Sequence, residues 1–119
     1  MREEILGNIV QDDRPWGGFR QFAHNAQCTV KILTVAAGQQ LSLQSHRSRD
    51  ELWVVLDPGL KVEIDGQVHL AAPGDEFVIE RGSRHRLGSA GGTGRVLEIS
   101  FGEFDEDDIE RYEDVYGRS

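Results

Sequence analysis

Apolar and β-branched residues occur along this chain in short runs, and polar turns rich in glycine and proline separate the runs. The runs are as short as ordinary strands, and helical spacing is absent from most of them. Strands are therefore predicted over residues 19–22, 28–35, 41–44, 51–56, 60–64, 67–70, 76–79, 85–87 and 95–101. Such a succession of short strands indicates an all-β sandwich or barrel.

Three segments refine this prediction. Asp65-Gly66 lies between two of the strand-like runs and favours a type I′ hairpin turn. Residues 1–11 alternate between apolar and polar and predict a short edge strand, with a turn over 14–18. Near the other end, residues 105–116 predict a short helix, because acidic residues open the segment and apolar residues recur every three positions.

The polar stretch from Gln44 to Glu51 carries the candidate chemistry. Alternate residues of a strand share one face, so Gln44 and His46 point the same way, and Glu51 can fold back beside them. A second hairpin would bring His85 to the same place. Two imidazoles, a carboxylate and an amide oxygen form a ligand set for a first-row divalent metal. A lone histidine is more often structural, so the prediction rests on the set.

Length and charge limit the classes of function. The 119 residues predict one domain, residues 1–119, and the formal charge of −8 argues against a nucleic-acid or anionic-membrane partner. No apolar run is long enough to span a bilayer or to resemble a signal peptide, so we expect a cytoplasmic protein. Cys28 cannot form an internal disulfide and is interpreted as a structural thiol.

Two segments resemble the paired motifs of the cupin superfamily. The first is Gly38, Gln44-Ser45-His46 and Glu51, with Gln in place of the first His; the second is Gly74, Gly82 and His85, with Glu80 where Pro is usual. The resemblance implies a jelly-roll barrel that holds one metal ion inside.

A narrower resemblance extends over most of the chain. The segments Arg14-Pro15-Trp16-Gly17, Leu41-Ser42-Leu43-Gln44 and Glu106-Asp107-Asp108-Ile109 resemble type II mannose-6-phosphate isomerases. In that family this cupin is commonly the C-terminal half of a bifunctional enzyme whose other half is a mannose-1-phosphate guanylyltransferase. The 119 residues leave no room for that other half, so we expect a standalone domain. Arg47, Ser48, Leu52, Glu80 and Ser100 depart from the family pattern and leave another sugar phosphate, or an unphosphorylated sugar, open as substrate.

The resemblance implies an aldose–ketose isomerase that acts on a sugar phosphate, most simply mannose 6-phosphate to fructose 6-phosphate through an enediolate. One divalent ion, zinc first and Mn, Co, Ni or Fe as alternatives, would be bound by Gln44, His46, Glu51 and His85. Glu98, mid-strand between two apolar residues, is the predicted proton carrier if its side chain faces inward and not toward solvent.

Basic residues would complete the site. Lys31, if it faces inward, and Arg49 would neutralise developing charge, while Arg14, Trp16, Arg111 and Arg118 would bind the substrate and its phosphate. A homodimer is expected. Two other functions stay open: a metal-containing cupin that only binds a sugar or small acid, and a cupin dioxygenase.

Overall fold

A computed structural model describes residues 2–114 of the chain. One helix, α1 (Arg2–Asn8), precedes eleven strands. The strands are β1 (Val10–Arg14), β2 (Gly17–Gln21), β3 (Cys28–Val35), β4 (Leu43–Ser45), β5 (Arg49–Val55), β6 (Leu60–Ile64), β7 (Gln67–Ala71), β8 (Glu76–Ile79), β9 (His85–Ser89), β10 (Gly94–Gly102) and β11 (Glu110–Glu113).

The strands form two sheets and a separate hairpin. A four-stranded sheet has the order β3-β10-β5-β8, a five-stranded sheet has the order β11-β4-β9-β6-β7, and β1 pairs with β2 alone. The paired strands are antiparallel throughout. The predicted hairpin turn is confirmed, since Asp65 and Gly66 have φ values of 48° and 83°.

Apolar side chains of both sheets meet in one core, and its most deeply buried members include Trp53, Leu60, Val62, Leu87 and Val96. Residues of β5 that alternate with Trp53 belong to a second cluster, in which Leu52 and Val54 pack with Ile99 and with Ile5 of α1. Strand β5 is therefore buried along its whole length. A charged residue on such a strand needs a polar partner, because an unpaired buried charge is costly.

The prediction of an edge strand over residues 1–11 is wrong. Residues 2–8 form α1, and the strand begins at Val10. Glu3 and Glu4 lie in the first turn, where acidic side chains favour a helix start. Ile5 is 2% exposed, so the helix is held by burying this side chain on the four-stranded sheet.

The prediction of a helix over residues 105–116 is also wrong for the part that the structure describes. Residues 105–109 form a turn, and β11 then pairs with β4 at the edge of the five-stranded sheet. Two acidic side chains of this segment bind backbone amides instead. Asp105 Oδ1 accepts a hydrogen bond from Asp107 N, and the Asp108 carboxylate accepts hydrogen bonds from Arg47 N and Ser48 N. Tyr112 shares a hydrogen bond of 2.9 Å with Ser45 of β4. Residues 115–116 of the predicted helix lie outside the described residues.

Candidate metal site

Three of the four predicted metal ligands lie together inside the barrel. His46 directly follows β4, Glu51 lies on β5, and His85 begins β9. Their ligand atoms all lie within 4.8 Å of one another. The residues are 4%, 1% and 1% exposed, respectively. The site is thus an internal cluster and not a chance grouping of surface side chains.

Hydrogen bonds fix which nitrogen of each imidazole faces the cluster. His46 Nδ1 lies 2.8 Å from Asp108 O, and His85 Nδ1 lies 3.1 Å from Ser83 O. A carbonyl oxygen only accepts, so each Nδ1 carries the proton and each neutral ring presents the lone pair of Nε2. Burial lowers the pKa of His46 and lowers that of His85 to about 4. Both rings are therefore neutral near pH 7, as metal ligands must be.

The distances between the Glu51 carboxylate and the two imidazoles bear on whether a cation fits among them. Glu51 carboxylate oxygens lie 3.4 Å from His46 Nε2 and 3.7 Å from His85 Nε2. A carboxylate oxygen and a neutral Nε2 are both acceptors, so each pair needs a donor or a cation beside it. The Arg49 guanidinium serves the His46 pair, because it contacts both Glu51 Oε2 and His46 Nε2. His85 Nε2 is buried and has no hydrogen-bond partner among the described residues. A divalent cation would satisfy it, and two nitrogens with one carboxylate match zinc-type donor chemistry.

The fourth predicted ligand, Gln44, lies beside this group. Gln44 is directly opposite His85 in the β4–β9 pair, and Arg111 is directly opposite Gln44 in the β11–β4 pair. Directly opposed residues project on the same face of a sheet, so Gln44 and Arg111 share the face of His85. Gln44 Oε1 accepts a hydrogen bond of 3.0 Å from Ser42 Oγ. Its role as a ligand stays a prediction.

Two neighbours orient the Glu51 carboxylate. Trp53 Nε1 donates to Oε1 at 3.0 Å, and Arg49 Nε donates to Oε2 at 3.1 Å. Arg49 Nη2 also lies 3.3 Å from His46 Nε2. Arg49 was predicted to act in the site and does lie against it, whereas an orienting role for Trp53 was not predicted. Outer-shell partners of this kind hold metal ligands in place.

Glu98 and Lys31 face the same side of the four-stranded sheet. They are directly opposed in the β10–β3 pair, and Glu98 is also opposed to Trp53 of β5. Of the two positions left open for Glu98, the structure shows the inward one, since this residue is 7% exposed. Burial, helped by the negative charge of Glu51, raises its pKa to about 8. Lys31 lies nearer solvent, and its Nζ contacts Glu106 Oε1 at 3.0 Å.

Residues 103–109, between β10 and β11, contact the site in a way that the sequence analysis missed. The ring of Phe104 has Lys31 Nζ at 4.0 Å and the guanidinium carbon of Arg49 at 4.4 Å from its centroid. Asp108 contacts His46 and its loop. Asp108 falls within the segment predicted to form a helix, and Phe104 directly precedes that segment. An aromatic residue within an acidic run was the one signal that could have pointed to a buried role.

Two of the remaining predicted binding residues lie in the β1–β2 hairpin. Arg14 and Trp16 are exposed in the β1–β2 hairpin, where Arg14 forms a bidentate ion pair with Asp12 at 2.9 Å. Arg118 lies outside the described residues. The role of these three residues in substrate binding stays a prediction.

Comparison with known families identifies the family of this chain. A model of the C-terminal domain of mannose-6-phosphate isomerase matches residues 4–114. The chain belongs to this family. Among relatives of this mannose-6-phosphate isomerase C-terminal family, the alginate biosynthesis protein AlgA of Pseudomonas putida is 39% identical over 114 residues. Mannose-1-phosphate guanylyltransferase ManC of Salmonella typhimurium is 36% identical over 107 residues.

These matches cover 94% and 88% of this chain but 24% and 22% of AlgA and ManC. The chain therefore spans about a quarter of the length of the relatives it matches. Within residues 2–114, the structure contains no helix that is long and apolar enough to cross a membrane.

Solved structures agree on the fold. KdgF from Halomonas sp. superposes with a TM-score of 0.64 at 20% identity, covering 72% of this chain and 78% of that one. The cupin domain of Schizosaccharomyces pombe Cnp3 superposes with a TM-score of 0.60 at 10% identity, covering 80% of this chain and 64% of that one. The all-β cupin fold predicted from the sequence is confirmed.

Proposed function

We propose that this domain is a metal-dependent aldose–ketose isomerase that acts on a sugar phosphate, with mannose 6-phosphate and fructose 6-phosphate as the first pair to test. The observation that carries the proposal is the buried Glu98 beside a metal-competent cluster of His46, Glu51 and His85. An isomerase of this class needs both a Lewis acid and a group that moves a proton between neighbouring carbons. Membership of the family supports the choice of substrate.

The metal would be bound by His46, Glu51 and His85, with Gln44 as a fourth ligand and zinc as the first candidate. When bound, it would supply Lewis-acid polarisation of a substrate oxygen. Trp53 and Arg49 keep the Glu51 carboxylate directed at the two imidazoles.

Glu98 would take the proton from one substrate carbon and return it to the next. In the metal-free protein, burial raises its pKa to about 8, and a bound cation would lower this pKa toward neutral pH. Both its protonated and its ionised form would then be accessible, which a group with two opposite tasks requires. Lys31 shares its sheet face, and Arg49 lies against Glu51. These two cations would stabilise the negative charge that develops on the substrate oxygens.

The phosphate would bind at the barrel mouth. Arg111 is the best supported of the predicted residues, because it shares the sheet face of Gln44 and His85. Arg14, Trp16 and Arg118 remain proposed contacts.

We also propose a homodimer, since β3 is an edge strand on which Val30 and Ile32 are 58% and 55% exposed. Light scattering that finds only the 13.3 kDa species would refute the dimer.

The role of Glu98 is tested with Glu98→Gln, which keeps the shape of the side chain and removes its acid–base chemistry. The variant should lose at least about 100-fold in kcat for interconversion of the two sugar phosphates, as is typical for loss of a general acid–base group. Its metal content should match the wild type. The control is Glu63→Gln. Glu63 lies on β6 of the five-stranded sheet, away from the strand of Glu98, and its carboxylate pairs with Arg86 of the neighbouring strand β9. Unchanged kcat in Glu98→Gln would exclude Glu98 as the proton carrier.

A further inference from the structure

Asp108 binds the loop that carries the first metal ligand through both its main chain and its side chain. Its carbonyl oxygen accepts the hydrogen bond from His46 Nδ1 at 2.8 Å. Its two carboxylate oxygens accept hydrogen bonds of 2.9 Å from Arg47 N and Ser48 N. The side chain is 13% exposed, so these bonds lie largely out of water.

These contacts lie on the connection between the strands β4 and β5, beside two of the predicted metal ligands. His46 follows β4 and Glu51 lies on β5, and residues 46–48 join the two strands. The Asp108 carboxylate satisfies two successive amides of that connection and so fixes its path. With the connection fixed, the Asp108 carbonyl selects the tautomer of His46 and directs its Nε2 toward Glu51.

The same residue anchors the segment that precedes β11. Arg49 Nη1 donates to Asp105 O at 3.2 Å and to Asp108 O at 3.4 Å, so the turn over residues 105–108 rests on side chains of the site. None of these contacts involves the neighbouring Asp107, whose side chain is exposed. Asp107 has the same charge in the same turn and offers a matched control.

We propose that Asp108 is a positioning residue that aims His46 at the metal and couples metal binding to the docking of residues 105–109 on the barrel. This inference rests on the metal site of the proposed function. Coupling between two binding events is reciprocal. If docking of the segment strengthens metal binding, the metal strengthens docking by the same factor.

The test compares Asp108→Asn with Asp107→Asn. The amide at position 108 can accept only one of the two loop N–H groups, and its own NH₂ faces the other. Zinc affinity, measured by competition with a chromophoric chelator, should fall by about 10-fold or more in Asp108→Asn, as for other outer-shell changes, and should not change in Asp107→Asn. The visible spectrum of the cobalt-loaded protein should change only in Asp108→Asn, because ligand geometry changes there.

The wild type supplies a second test that needs no variant. Zinc should slow hydrogen exchange at the amides of Arg47 and Ser48, the two groups that donate to Asp108. An Asp108→Asn protein that loses stability but keeps wild-type zinc affinity and cobalt spectrum would overturn the inference and leave the proposed function intact. A wild-type protein that binds no divalent metal would overturn both.

Discussion

Replacing Glu51 with glutamine tests how much this one carboxylate contributes to the stability of the fold and to metal affinity. Glu51 is 1% exposed and accepts hydrogen bonds from Trp53 Nε1 at 3.0 Å and from Arg49 Nε at 3.1 Å. It is also the sole anionic member of the metal-competent group. Glu51→Gln keeps the volume of the side chain, so its effects come from charge and hydrogen bonding.

The cost in the metal-free protein follows from those two bonds. One amide oxygen can serve Trp53 or Arg49, and the NH₂ group then faces the other donor. Loss of a hydrogen bond to a charged group costs about 1.5–3 kcal/mol. Part of this is offset, because the charge of Glu51 helps to raise the pKa of Glu98, and without it Glu98 ionises more readily near Arg49. We expect a net loss of about 2 kcal/mol in the free energy of unfolding.

The loss in metal affinity should be larger. An outer-shell change costs about 10–100-fold in affinity, and removal of the anionic ligand itself should exceed that range. Urea unfolding of the chelator-treated protein measures the first effect, and zinc titration measures the second. The control is Glu63→Gln, whose ion pair with Arg86 should contribute less than about 1 kcal/mol, because Arg86 keeps a second carboxylate partner in Glu113. Wild-type stability together with wild-type zinc affinity in Glu51→Gln would refute the assignment of Glu51 as a metal ligand held by Trp53 and Arg49.

Two further predictions concern the frame around the site. Burial raises the pKa of Asp50, but hydrogen bonds from Arg81 outweigh it and lower that pKa to about 2, from 3.8. The carboxylate therefore stabilises the fold above pH 3.8 and ceases to do so as the pH falls through 2. Asp50→Asn should cost roughly 2 kcal/mol at pH 7, and its urea-unfolding free energy should converge with that of the wild type near pH 2; a constant difference would contradict this. Gly94→Ala would place Cβ 2.5 Å from Cδ2 of Leu60, which is 1% exposed. It should cost about 1–3 kcal/mol by overpacking, and an unchanged thermal midpoint would show that the core yields there.

The ligand cluster was predictable because it depends on local rules. Strand alternation, the spacing from His46 to Glu51 and a later His85 in a strand-like run were enough to bring three ligands together. The same alternation put Glu98 on the face opposite to its apolar neighbours, but alternation alone left open whether that face points inward or toward solvent. Short turns between strands then left few ways to close the barrel.

The structure of the two chain ends and the contacts that Phe104 and Asp108 make around the metal ligands were not predictable in the same way. Helical propensity at Asp107 and Asp108 was real, but an unpaired edge of β4 offered the chain a strand partner, and tertiary pairing overrode propensity. The roles of Phe104 and Asp108 depend on contacts to residues more than fifty positions away along the chain. A single sequence carries no periodic signal for such contacts.

The most direct test of the account is a coupled assay of the purified domain with mannose 6-phosphate, after chelation and after reloading with Zn, Mn, Co, Ni or Fe. The proposed isomerase should form fructose 6-phosphate in a reaction that stops on chelation, resumes when metal is returned and is absent from His85→Ala at any metal concentration. A domain that holds a stoichiometric metal ion, binds the sugar phosphate and forms no ketose with any metal would contradict it.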